Sequence, residues 1–234
     1  MIGIILLVAS WLLLRLEGKP ISVLGFNRPV QRSLELVLGF VVASLFACTH
    51  FMLQAHFSEF SWVRNPDLGL AEMLEGLRWT TNSVLYEELL FRGYLLYKAI
   101  EILGTRKGCL LSAAAFGVYH WFSYGVLGSV VPMAFVFIMT GTFGLMAAYA
   151  YAKSRSVVLP IALHLGWNVA AISIFSNGPI GAQLLIPFPS EGAALSATEQ
   201  ILANVLVPIA LPLLVLWLVV WRLPFYAKSE ASDA

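Results

Sequence analysis

The stretch Tyr86-Glu87-Glu88-Leu89-Leu90-Phe91-Arg92-Gly93 places three charges inside an otherwise apolar run. A charge at bilayer depth costs about 2.5–3.5 kcal/mol on insertion scales, so such residues mark functional sites by default. On a helix, Glu88 and Arg92 are four residues apart and share a face, so they can pair. Glu87 lies about 140° round the helix from Arg92 and points elsewhere. One carboxylate therefore reads as the partner of the arginine, the other as free for chemistry. Phe116-Gly117-Val118-Tyr119-His120 adds an imidazole, and His164-Leu165-Gly166-Trp167-Asn168 adds an imidazole and an amide one turn apart. A free glutamate, two histidines and an asparagine at one depth match a general base, its positioning partners and an oxyanion stabiliser. The bland readings are a charge cluster that only fixes packing, and histidines that only hydrogen-bond helix to helix.

Something must hold these groups at a common depth. The chain has 234 residues, 59% of them hydrophobic and 12% charged. Soluble domains carry about 25% charged residues, so the composition is that of an integral membrane protein. The expected fold is all-α: one polytopic transmembrane bundle, residues 1–234, of about seven spanning helices (six to eight). The spans are expected at about 2–16, 34–55, 77–98, 108–124, 130–152, 156–176 and 200–222, with a motif-bearing core at about 77–176. At roughly 1.5 Å per residue, Glu87 is about 15 Å below the outer end of its helix. His120, His164 and Asn168 stand roughly 18, 10 and 16 Å from the inner ends of theirs, which is the middle zone of a ~30 Å core.

The connections alternate in charge. Arg15, Lys19, Arg28 and Arg32, then Lys98, Arg106 and Lys107, then Lys153 and Arg155, and finally Arg222 and Lys228 fall on one side; the alternate connections hold Arg64 and, near the start of the third span, Arg78, and the segment 56–76 carries Glu59, Asp67, Glu72 and Glu75. The positive-inside rule puts the basic set in the cytoplasm, the N-terminus outside and the C-terminus inside, in what the brief loops suggest is a prokaryotic plasma membrane. The N-terminus has no basic n-region and no small-residue cleavage site, so it reads as an anchor rather than a signal peptide. A net charge of +1 offers nothing to nucleic acid. Cys48 and Cys109 read as small buried hydrophobes, and His50 and His56 as interfacial residues. Residues 56–76 read as a loop or an interfacial amphipathic helix, and 177–199, with Asn177-Gly178-Pro179 and Pro187-Phe188-Pro189, as a loop. Close helix approach is expected at Ala113, Ala114, Ala115 and Gly117, and at Gly141 and Gly144.

Glu87-Glu88-x-x-x-Arg92, Phe116-x-x-x-His120 and His164-x-x-x-Asn168, in this order on separate helices, resemble the motif series of the CAAX prenyl protease and bacteriocin-processing (CPBP, or Abi) family of intramembrane proteases. Phe91-Arg92-Gly93 extends the first motif in the same way. The motifs cover residues 87–168. The resemblance implies an intramembrane endopeptidase that cleaves a membrane-associated or lipidated peptide or protein in the bilayer. Glu87 would match the water-activating glutamate and His120 the histidine that helps hold the water or a metal. His164 and Asn168 would match the oxyanion pair, with Glu88 and Arg92 as structural support. Glu87, His120 and His164 could bind zinc with water at an open position, but their spacing is not His-Glu-x-x-His, and the reading leans to a metal-independent site. The alternatives are a non-catalytic immunity or scaffold protein of the same fold and a proton-coupled transporter, since membrane Glu and His also form relays. No paired broken helices in repeated halves favour the transporter. Substrate identity and oligomeric state are not legible.

Overall fold

The computed structural model describes residues 2–175 and 183–222. Along the chain come α1 (Ile2–Leu16), α2 (Pro29–Phe57), strand β1 (Ser61–Arg64), α3 (Leu70–Arg92), α4 (Tyr94–Leu103), α5 (Thr105–Ser123) and α6 (Val130–Ser154). They are followed by α7 (Val158–Asn168), strand β2 (Leu185–Phe188), α8 (Ala197–Ile201) and α9 (Val207–Trp217). Wider π-helical turns carry α7 on to Phe175, join α8 to α9 and extend α9 to Arg222. Pro208 and Pro212 each remove an N–H from the last of these helices, and such losses loosen the i→i−4 ladder.

Four stretches among the described residues are long and apolar enough to cross a membrane: Ile21–Phe57, Val130–Ser154, Val158–Phe175 and Ala197–Trp221. The all-α bundle is therefore present, with helices at each expected span. α1 is short, at 15 residues. Its Gly3 stands against Leu85, so it runs beside only the later turns of α3. The third span needs correcting. The helix expected over 77–98 begins at Leu70 and breaks at Gly93, where α4 takes over. A Cβ on Gly93 would meet the Leu89 carbonyl oxygen at 2.2 Å and Ser10 Oγ at 3.2 Å, so the turn needs a residue without a side chain.

The segment 56–76 and the late connection are also not plain loops. Their strands pair antiparallel, Ser61 opposite Phe188 and Arg64 opposite Leu185. Trp62 packs edge-on to Phe51, Phe60 and Phe175 and donates its indole N–H to the Phe51 carbonyl at 3.1 Å, which ties the ribbon to the helix ends. Asn177-Gly178-Pro179, the end of the sixth expected span at 176 and Lys228 lie outside the described residues. Of the two outer histidines, His56 is exposed. His50 is buried, with its ring against Phe51 and Trp167.

Two ends result. At one, Val157 N donates to Leu24 O at 3.0 Å and Lys98 pairs with Glu17 at 3.0 Å. Lys19 pairs there with Glu101. Hydrogen bonds from Tyr94, Lys98 and Lys19, in that order, hold the Glu17 carboxyl down at about 2. The connections rich in Lys and Arg therefore meet at one end. At the other, Asn65 N donates to Leu184 O at 2.9 Å and Ala193 N to Ser58 O at 2.7 Å, joining the acidic segment to the β ribbon.

Between the ends, two apolar clusters fill the bundle. One is built on Ala43, Met146, Leu163 and Leu211, the other on Leu14, Leu24, Leu96 and Tyr151. Small residues let backbones touch, as helix association without a hydrophobic drive requires. A Cβ on Gly166 would meet Phe40 O at 2.2 Å, and Ser44 Oγ donates to Gly166 O at 3.0 Å, so α2 and α7 lie backbone to backbone. Gly144 sits on Phe116 and Ala113, and Gly117 on Phe137, as expected for the α5–α6 contact. Ala114 and Ala115, also expected there, are on the exposed face of α5.

Candidate active site

α3, α5 and α7 bring their polar residues together. Glu88 and Arg92 are both fully buried. Arg92 Nη1 donates to Glu88 Oε1 at 3.2 Å, and its Nη2 donates to the Gly144 carbonyl on α6 at 3.1 Å. The guanidinium carbon also lies 4.2 Å from the centre of the Phe116 ring, within cation–π range. Arg92 is thus held by α3, α5 and α6 at once. Among the described residues it is Glu88 that pairs with it; Glu87 points to the two imidazoles.

Glu88 has a second partner that the spacing did not suggest. Its Oε1 lies 2.7 Å from His164 Nδ1. A carboxylate already paired with arginine can only accept, so Nδ1 of His164 carries the proton. His120 is fixed in the same sense. Its Nδ1 lies 2.8 Å from the Phe116 carbonyl oxygen one turn back, so that nitrogen too is a donor. When neutral, both rings present a bare Nε2 lone pair.

Both lone pairs face Glu87. His120 Nε2 is 3.8 Å and His164 Nε2 3.9 Å from Glu87 Oε2, a buried oxygen with no hydrogen-bond partner among the described residues. Three acceptors therefore converge without a donor between them. A water at ~2.8 Å from two atoms 3.8 Å apart would subtend roughly 85°, close enough to its own geometry to direct an O–H at each. Asn168 ends α7 one turn after His164, is half-buried and makes no side-chain hydrogen bond among the described residues. The π-helical turns begin at the next residue; such turns often accompany functional sites.

The donor spacing is wider than zinc takes. Ligand atoms ~2.0–2.1 Å from a tetrahedral ion lie about 3.3 Å from one another, whereas atoms 3.8 Å apart would open the angle at the metal to roughly 135°. No group of three His, Cys, Asp or Glu side chains among the described residues is disposed to hold a metal ion. Glu87, His120 and His164 as they stand do not fit the metal that the sequence left open.

Aromatic rings close the site. Phe116 lies 4.4 Å from the His120 ring and 6.1 Å from that of His164, and Phe143 packs edge-on to His164 at 5.1 Å. Tyr119 and Tyr124 flank His120 at 5.2 and 5.8 Å. The sequence signalled Phe116 only by its spacing from His120. The Gly144 carbonyl and Phe143 carried no signal, because both act from a helix with no polar motif.

The family model described as Rce1-like, type II CAAX prenyl endopeptidase Rce1-like, matches residues 69–170. That range holds all three motifs and ends two residues past Asn168. No curated protein and no solved structure gives a significant match.

Proposed function

We propose, for a chain that through residues 69–170 belongs to the CPBP family and is at that level a CAAX-type intramembrane protease, that Glu87, His120, His164 and Asn168 are its catalytic residues. The substrate is a membrane-associated or lipidated peptide or protein. The observation that carries this reading is Glu87 Oε2, buried, unpaired and between two imidazole Nε2 atoms. Glu87 and His120 hold the water by accepting its hydrogens. Glu87 takes one proton as the water oxygen bonds to the peptide carbonyl carbon, and the carbonyl oxygen becomes an oxyanion. The Asn168 amide donates to that oxygen. His164 can donate from Nε2 only as an imidazolium, and the Glu88 carboxylate on its Nδ1 supports that charge. The C–N bond then breaks, Glu87 gives its proton to the departing amine, and a carboxyl and an amino terminus result.

One water proton thus passes through Glu87 to the departing amine and the other stays on the new carboxyl, while the extra proton of the His164 imidazolium is retained throughout. The positive-inside rule sets the basic end in the cytoplasm, which puts the C-terminus there and the N-terminus outside, in a prokaryotic plasma membrane.

The test is single-turnover cleavage of membrane-embedded and lipidated peptides in liposomes by wild type and Glu87→Gln. Glu87→Gln binds peptide but does not cleave it. Cleavage at the wild-type rate removes the proposed base. Folded wild type inactive on a broad panel favours the immunity or scaffold reading.

A further inference from the structure

A cavity of about 840 Å³ lies away from the catalytic residues, at the basic end of the bundle. α2 forms one wall, Val215, Leu218 and Val219 on and after α9 form the other, and Leu159 and Leu163 of α7 form the floor. It is a groove open along one side rather than an enclosed void. It follows α2 from Pro29 to Val42, roughly 20 Å at the rise of a helix. That is more than the ~15 Å depth of one hydrocarbon leaflet. Val30, Leu34 and Leu38 stand 77%, 57% and 61% exposed along it, so its open side is apolar.

The charges are confined to the mouth. Glu35 is 5% exposed and is neutralised by two hydrogen bonds from Arg32 Nη1, at 2.7 and 2.8 Å; Gln31 also donates to it at 3.1 Å. Arg28 is exposed, and its guanidinium has no ion pair or hydrogen bond among the described residues. Among the described residues, the mouth therefore presents the exposed Arg28 cation above a largely apolar slot.

We infer that this groove binds an anionic glycerophospholipid of the leaflet at the basic end. Its acyl chains lie between α2 and α9 and its phosphate rests on Arg28. The pattern, apolar for the depth of a leaflet and then cationic, complements such a lipid. A second copy of the chain would leave the Arg28 charge facing its own equivalent or lipid. The inference rests on the groove alone and stands whether or not Glu87 is a catalytic base.

Native mass spectrometry tests it. Protein is taken from bilayers of phosphatidylglycerol and phosphatidylcholine through exhaustive delipidation, and bound lipid is counted. Wild type retains one phosphatidylglycerol in preference to phosphatidylcholine. A phosphate contact near the membrane surface is worth about 1 kcal/mol per basic residue, so Arg28→Gln lowers that preference about fivefold. Leu38→Trp, which fills the slot from an exposed position, removes retention of both lipids. Unchanged thermal unfolding shows that the two variants are folded. Wild type free of phospholipid, lipid retained equally by all three proteins, or a dimer whose formation Leu38→Trp abolishes would each overturn the inference.

Discussion

Replacing Glu88 by glutamine keeps the shape of the side chain and removes its charge. Arg92 then loses its carboxylate while remaining fully buried, with only the Gly144 carbonyl at 3.1 Å and the Phe116 ring at 4.2 Å to face. Breaking a buried ion pair from one side costs about 3–5 kcal/mol. Against a total stability of ~5–15 kcal/mol this is a fifth or more. At about 2–4 °C per kcal/mol for a chain of this size, the melting temperature should fall by roughly 6–20 °C. Glu87→Gln should cost almost nothing, since Glu87 Oε2 makes no hydrogen bond among the described residues. The chain supplies its own probe. Cys109 is fully buried, so in a Cys48→Ala background a thiol-reactive fluorophore reports unfolding as Cys109 is exposed. In the double variant Glu88→Gln/Arg92→Met much of the loss should be recovered, because the stranded charge is gone. Glu88→Gln melting with wild type, or Glu87→Gln destabilised as much as Glu88→Gln, would refute the assignment of the two carboxylates.

Asn168→Ala should lower kcat about 10²–10³-fold in the same single-turnover assay, the usual loss for one oxyanion donor. A chelator in excess should leave the cleavage rate unchanged, since the nitrogens and oxygen of the site stand too far apart for zinc; loss of activity restored by zinc would reverse that reading. Glu17, held at about 2 against an ordinary 4.5, contributes stability that is present above pH 4.5 and lost as the pH falls towards 2. Wild type should therefore lose more thermal stability over that window than Glu17→Gln does, measured by circular dichroism.

The sequence made the candidate site legible because charge inside a membrane run is rare and its helical spacing is informative. Four residues bring Glu88 to Arg92, and five turn Glu87 away. The small residues Gly117 and Gly144 likewise announced the α5–α6 contact. What stayed hidden depends on tertiary placement. Gly93 looked like part of a motif inside a helix, yet it ends that helix, because Leu89 and Ser10 approach a position whose crowding no local pattern records. The β ribbon joins segments more than a hundred residues apart, through strands of four residues that are too short for alternation to declare itself. His50 was placed by its nearness to the helix end, but burial depends on what packs there, and Trp167 of α7 does. Ala114 and Ala115 were grouped with Ala113 by composition, although steps of 100° carry them off the packed face.

The division of Glu87 for chemistry and Glu88 for structure is too clean. One oxygen of Glu88 serves both Arg92 Nη1 and His164 Nδ1. The carboxylate that neutralises the buried cation also sets the tautomer of the imidazole and the direction of its ring. That shared oxygen ties the aim of His164 Nε2 to the ion pair, and Arg92, held in place by Gly144 and Phe116, fixes the carboxylate that holds the ring. Loss of activity in a Glu88 variant would then follow from a misoriented histidine as readily as from unfolding. The two causes separate by temperature. Below its lowered melting point Glu88→Gln is folded, and any cleavage deficit that persists there belongs to His164.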